Sequence, residues 1–181
     1  MSGGQGTGLV FDEVLHKYYA DGRELPSVTT IIRRVLGDSG HGTQWHMDRG
    51  IAAHGLYALL GAGEDLGLYD YDQRLVGNVA AWLDWHSRER VEVEAVEKQM
   101  CHMGAGYAGT VDAVVTIRGK RWIIDYKASA SARDELQLAA YKELWEHNHP
   151  RQKIDGIASL QITADGWKYG DTRTDRTFIG P

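Results

Sequence analysis

The sequence predicts an α/β (α+β) fold in which one sheet is covered by helices. Three observations carry that expectation: apolar residues recur at helical spacing in the first half, the period changes to two from Val91, and an amphipathic helix follows the third strand. At 181 residues the chain fits one domain, with a mainly helical part over 1–90 and an αβββαβ-type core over 91–165. There is no internal repeat, and no low-complexity segment beyond the glycine-rich first eight residues.

The elements follow in order. "LVFDEVLHKYYADGREL" has short apolar pieces around Ala20-Asp21-Gly22, a turn signal that predicts a small hairpin. "PSVTTIIRRVLG" starts a helix at Pro26 and the capping-type Ser27, turns Val28, Ile31, Ile32 and Val35 inward, and stops at Gly37. A second helix covers Gln44 to Leu60, and a third covers Tyr71 to Arg88 with Leu75, Val79, Trp82 and Leu83 as a core stripe. "VEVEAVEKQM", "YAGTVDAVVTI" and "RWIIDYKA" read as three consecutive strands, and their short connections predict an antiparallel meander. "ARDELQLAAYKELWEHN" is a helix with Leu136, Ala140 and Leu144 on its apolar side, ended by His149-Pro150. "IDGIASLQIT" is a further strand, and "ADG" turns it into "WKYG".

Composition narrows the function. A formal charge of −5 argues against coating nucleic acid by bulk electrostatics, which needs excess Lys and Arg, but leaves room for a local basic groove. The single Cys101 cannot form an internal disulfide or alone hold an iron–sulfur cluster or structural zinc, and is expected to be an inert thiol. The absence of a G-x-x-x-x-G-K-[ST] loop predicts no nucleotide cofactor. No apolar segment approaches membrane-spanning length and the first residues carry no targeting pattern, so no membrane partner and a cytoplasmic location are expected.

The chemistry concentrates in "GTVDAVVTIRGKRWIIDYKAS". Residues two apart on a strand share a face, so Asp125 and Lys127 point one way and Ile124 and Tyr126 the other, with Asp112 within reach from the preceding strand. Two carboxylates brought together repel each other unless a cation lies between them. Oxygen ligands at this density suit Mg²⁺ or Mn²⁺, as one or two ions. Lys127 can then hold an attacking water or stabilise charge growing on a phosphoryl group, although a lone D-x-K is most often a surface ion pair on an edge strand. Gln137 and Tyr141 are four apart and share a face of the following helix. Arg33 and Arg34 lie on the outer side of the first helix, as a solvated face or as phosphate contacts, and Arg49 is open to phosphate contact or a helix ion pair.

"RG" followed by His54, then "GTVD", "IIDYK" and "QLAAY", in this order, resembles the RecB-like branch of the PD-(D/E)XK nuclease superfamily. "LPSVTTII" is similar to the corresponding segment of mitochondrial genome maintenance exonucleases and related phage nucleases, so the resemblance spans about Leu25 to Ile162. It implies a restriction-endonuclease-like core, with a central mixed sheet of about four to five strands flanked by helices. It also implies metal ligation by His54, Asp112, Asp125 and the main-chain carbonyl of Tyr126, with Lys127 as the catalytic lysine and Gln137 and Tyr141 as a helix motif that supports the site and contacts DNA. Read alone, His54 on its apolar helix is a core histidine. Family members carry a glutamate on the first strand of the core; counting by twos from Val91 and Val93 selects Glu97, with Glu94 as runner-up. The proline of the superfamily's name is replaced here by "VD", and one cysteine excludes the iron–sulfur branch.

The resemblance implies a metal-dependent DNA exonuclease of repair, recombination or phage DNA processing, acting on single strands or DNA ends. A structure-specific endonuclease of the same superfamily is one alternative, and a phosphatase or nucleotide hydrolase on the same cluster is another. A non-catalytic nucleic-acid-binding module is a third, but it should have lost Asp112, Asp125 or Lys127, and none is missing. The N-terminal helices could arch over the site, and Trp45, Tyr57 and Trp122 are base-stacking or core aromatics. Self-association, a phage recombination partner and a host-cytoplasmic location are further implications of a phage relative.

Overall fold

The computed structural model describes residues 8–38, 44–129, 131 and 133–170, with the side chains of all of these except 44–47 and 68. The chain runs β1 (Leu9–Asp12), β2 (Lys17–Ala20), β3 (Arg23–Leu25), α1 (Val28–Leu36), α2 (Gln44–Gly61), α3 (Val76–Glu89), β4 (Glu92–His102), β5 (Tyr107–Ile117), β6 (Lys120–Lys127), α4 (Asp134–Asn148), β7 (Gly156–Thr163) and β8 (Gly166–Tyr169). Trp45 lies outside the described side chains.

The first three strands form a small antiparallel sheet, one strand more than the expected hairpin. Its second turn is made by Asp21 and Gly22 at φ 49° and 74°, the left-handed pair that matches the twist of two-residue hairpins. The main sheet has the order β4-β5-β6-β7-β8. β4, β5 and β6 are the expected antiparallel meander, α4 returns the chain so that β7 lies parallel to β6, and β8 folds back antiparallel. On one face α2 and α3 bury Trp82, Trp85, Trp122, Ile124 and Tyr126; on the other α1 and α4 bury Val28, Val114, Ile123, Leu138 and Leu144. Each such aliphatic side chain stabilises the fold by about 1.5–3 kcal/mol relative to an exposed one, so these two layers hold the sheet between them.

Several boundaries and faces differ from expectation. α3 begins at Val76, not Tyr71, because Asp72 accepts the Arg74 amide and winds Gln73–Leu75 into a separate 3₁₀ turn. α3 buries Val79, Trp82 and Trp85, which leaves Leu83 47% exposed on its flank. α4 is rolled so that Leu138, Tyr141, Leu144 and Trp145 face the sheet and Leu136 is 50% exposed. In α1 only Val28 is fully buried; Ile31 and Ile32 pack partly, and Val35 in the last turn is 74% exposed.

Trp122 and Tyr57 are buried core aromatics. Trp122 lies flat against Gly156, the residue paired with it on β7, and a Cβ at 156 would run into the six-membered ring. Gly156→Ala is therefore expected to destabilise the protein by about 1–3 kcal/mol through overpacking, read as a lower thermal midpoint. An unchanged midpoint would show that β7 can shift here.

Candidate metal centre

β5 and β6 part at the residues that carry the acids. Their ladder runs from Ile117↔Lys120 to Ala113↔Ile124 and stops before Asp112 and Asp125, while β6 continues in register with β7 through Lys127. A buried amide freed by such splaying must find another acceptor. Asp112 supplies it, its Oδ2 accepting the Tyr126 N–H at 2.8 Å. The side chain of Asp112 is thus fixed by the backbone beside Asp125.

β4 is irregular at the same level. Glu97 would stand opposite Asp112, between Val96↔Ala113 and Lys98↔Val111, but neither belongs to the ladder and Glu97 adopts φ 44°. A left-handed conformation at a non-glycine residue costs on the order of 1–3 kcal/mol and needs a surrounding fold that imposes it. Here Gly61 presses the end of α2 onto β4: a Cβ at 61 would lie 2.6 Å from Val96 Cγ1. α2 in turn anchors Ala53, Leu56 and Tyr57 in the core and presents His54 to Asp112 on β5. One ligating atom each from His54, Glu97 and Asp112 comes within 4.8 Å of the others.

Counting by twos does not account for Glu97, because a bulge between Val93 and Ala95 shifts the pleat before it is reached. Its own positive φ turns it back. The runner-up, Glu94, is held elsewhere, by Arg121 at 2.8 Å and by Thr116.

Desolvation dominates the electrostatics. Burial pushes Asp112 up to about 7 against the opposing Tyr126 amide, and pushes Asp125 up to about 7, aided by the charge of Asp112 and opposed by Lys127. Glu97 is an exposed residue overall, yet partial desolvation of its carboxyl group and the charge of Asp125 raise it as well. His54 is lowered by burial, with Asp125 pulling the other way, so the ring is neutral and keeps a lone pair; its Nδ1 is 3.5 Å from Asp112 Oδ2. Burial also opposes the charge on Lys127, but Asp125, Asp112 and Asp134 more than offset it, and its pKa is raised.

Lys127 Nζ lies 2.7 Å from Asp125 Oδ2 in an ion pair whose angle leaves that buried oxygen without an aligned donor. The ammonium donates to Gln137 Oε1 at 3.1 Å, and Gln137 Nε2 donates to the Tyr141 hydroxyl at 2.8 Å. α4 can carry this relay close to the sheet because β5 has a glycine beneath it: a Cβ at Gly109 would lie 2.9 Å from the Tyr141 ring.

The donor set fits a hard divalent cation. Metal–oxygen distances of about 2.1 Å put ligand atoms around one ion roughly 3–4 Å apart; His54 Nδ1 and Asp112 Oδ2 are 3.5 Å apart, and Asp125 has a buried oxygen with no hydrogen-bond partner. The trio within 4.8 Å contains Glu97 where the family pattern names Asp125, so Asp125 stands beside the trio, tied to Lys127.

Two cavities adjoin the cluster, and a third shares lining residues with the first. Arg33, 3.9 Å from Asp38, borders a cleft of 430 Å³ with Lys127 and Gln137. Arg34 borders a neighbouring groove, and Arg49 borders a pocket that also contains His54 and Lys127. The sequence reading missed three residues here. Arg133 donates to the carbonyls of Leu36 and Gly37 and so caps α1 beside the cleft. Buried Asp134 accepts the Ser131 amide, an S-x-x-D capping pattern that could have been read. Asn78, buried at the start of α3 with Arg49 Nη2 3.4 Å from its Oδ1, had no sequence signal.

A mixed five-stranded sheet flanked by helices, with acids and a D-x-K lysine where its central strands part, defines a restriction-endonuclease-like α/β protein. The model of the PD-(D/E)XK nuclease superfamily matches residues 6–174, and the chain belongs to that superfamily. No curated protein matches it. Membership points to nuclease chemistry on nucleic acid with divalent metal. Among the described residues no helix is long and apolar enough to cross a membrane.

The raised carboxyl groups predict a pH dependence of stability. A carboxyl group whose pKa is raised by folding favours the folded state at low pH, and that contribution is lost as pH rises from 3.8 to about 7. Metal-free protein is therefore expected to melt lower at pH 8 than at pH 5.5. Mn²⁺, which binds the ionised form, should raise the midpoint more at pH 8. Equal midpoint gains at the two pH values would contradict the assignment of these acids to one ion.

Proposed function

We propose that the protein is a Mg²⁺- or Mn²⁺-dependent deoxyribonuclease of the RecB-like branch, folded as one nuclease domain and acting as an exonuclease on DNA ends. The observation that carries the reading is the meeting of Asp112, Asp125 and Lys127 where β5 and β6 part, with His54 and Glu97 completing the ring of donors. One or two divalent ions held by His54, Asp112, Asp125, Glu97 and the Tyr126 carbonyl would supply positive charge for the phosphate and lower the pKa of water there.

The chain's own residues do the rest. Lys127, kept charged by the acids and aimed by Gln137, holds the attacking water in line and stabilises the negative charge that grows as the water oxygen joins phosphorus and the ester oxygen leaves. The proton lost by water ends on the departing alkoxide. Arg33, Arg34 and Arg49 contact neighbouring phosphates from the surrounding cavities, few enough that affinity falls only modestly with salt. Processing of DNA in repair, recombination or phage replication suits such an enzyme.

The test is incubation with Mg²⁺ or Mn²⁺ of end-labelled linear single-stranded, linear duplex and circular DNA. Loss of linear DNA with intact circles supports the exonuclease; cutting of circles replaces it with an endonuclease. Inertness on all three, with hydrolysis of free nucleotides, would move the site to a different substrate class.

A further inference from the structure

Lys127 stands between two cavities of different shape. On the α1–α4 side, the 430 Å³ cleft shares Thr29, Thr30 and Arg33 with a 740 Å³ groove that runs on to Lys17 and Arg34. That side is a long path of mixed charge, where Lys17 pairs with Glu24 and Arg33 lies near Asp38 while Arg34 and Lys127 add further positive charge. On the α2 side lies a pocket of 370 Å³ walled by Ala53, Tyr57, Leu75 and Ile162 and reaching the β7–β8 turn. Gly77, at the start of α3, presses on that turn so tightly that a Cβ would lie 2.8 Å from the Ala164 carbonyl oxygen.

The pocket's chemistry suits one nucleotide. Its walls are apolar, as the faces of a base require, and its size falls in the range of small-molecule sites. Its polar groups include Asn78, Thr163, Arg49 and Asp165: Asn78 Nδ2 donates to Ile162 O at 3.3 Å and to the Tyr57 hydroxyl at 3.4 Å, both long, and Arg49 brings a positive charge opposite in sign to Asp165. His54 and Lys127 line the same pocket, so a nucleotide seated in it presents its phosphate to the cluster.

We propose that this pocket receives the terminal nucleotide of the strand being cut, so that its ligand is a nucleoside monophosphate and the polymer lies in the α1–α4 cleft. The proposal rests on the nuclease reading above and adds its geometry: the two connected cavities on one side take the chain, and the single smaller, apolar-walled pocket on the other takes its end.

Gly50 lines the pocket from α2, and a Cβ built there meets nothing within 4 Å; Gly55, exposed on the same helix and outside the pocket, is equally unobstructed. Gly50→Trp therefore puts a large ring on an unobstructed position of the pocket's wall, and Gly55→Trp is its matched control; both remove a helix-interior glycine, which favours the helix. Binding of deoxyadenosine monophosphate is titrated for each protein, together with mononucleotide release from end-labelled linear DNA and thermal melting. Gly50→Trp should weaken nucleotide binding and slow mononucleotide release by at least about tenfold, with Gly55→Trp matching the wild type. Gly50→Phe takes its place if the tryptophan variant melts early. The proposal is overturned if the two glycine variants behave alike, if circles are cut as fast as linear strands, or if wild-type protein shows no saturable nucleotide binding. A wild type inert on all DNA would sink the nuclease reading instead, and the nucleotide titration would still decide the pocket.

Discussion

Lys127→Ala is expected to lower DNA cleavage by about 10²–10³-fold or more while leaving the fold intact. Removing one preorganised donor from a site of developing oxyanion charge costs on that order, and Lys127 is the ammonium that the geometry holds beside the acids. Its Nζ is fixed from two directions, by Asp125 at 2.7 Å and Gln137 at 3.1 Å, while 24% of its side chain stays exposed toward the cavities on either side. The fold should tolerate the change. Asp125, losing its partner, can take a proton, because burial already raises its pKa to about 7. Initial rates on end-labelled linear DNA, with circular dichroism of the same preparations, check the expectation. Turnover within about tenfold of wild type would remove the lysine from the chemistry.

Asp112→Asn should have a comparable effect on cleavage and the opposite effect on the metal-free fold. The amide oxygen can still accept the Tyr126 N–H, so the junction between β5 and β6 is preserved. What disappears is a carboxylate whose ionisation burial opposes. At pH 8 the wild type carries that charge and the variant does not, so metal-free Asp112→Asn should melt higher than metal-free wild type, and the gap should shrink toward pH 5.5. Cleavage should nonetheless fall by several orders of magnitude, because a neutral amide is a much poorer ligand for a hard divalent ion. Thermal melts at two pH values separate this account from simple damage to the fold, which would lower the midpoint at both.

The legible parts of the fold were those set by local pattern. The Asp21-Gly22 turn, the Ser27 cap, the extent of α2 and the β4–β5–β6 meander follow from turn chemistry and period, and each stands as expected. Which side of a helix faces inward was less legible, since Leu83 and Leu136 are as apolar as the residues buried in their place and only tertiary packing separates them.

The site divides in the same way. Asp125 and Lys127 share a strand face by simple parity, and Gln137 and Tyr141 share a helix face by simple spacing. Glu97 was reached by a count that the bulge at Val93/Ala95 invalidates, and its position depends on a left-handed residue that no sequence period announces. The position of Asn78 beside the β7–β8 turn arises from α3 meeting that turn, far apart in sequence and invisible before folding.

Titration of Mn²⁺ into wild-type and Asp112→Asn protein at pH 8, followed by electron paramagnetic resonance, tests the central claim most directly. The wild type should bind one or two ions saturably and the variant should lose at least one of them, with DNA cleavage rising in step with wild-type occupancy. Absence of saturable Mn²⁺ binding, or identical binding by the two proteins, would contradict a divalent ion held between the strands that carry residues 112 and 125.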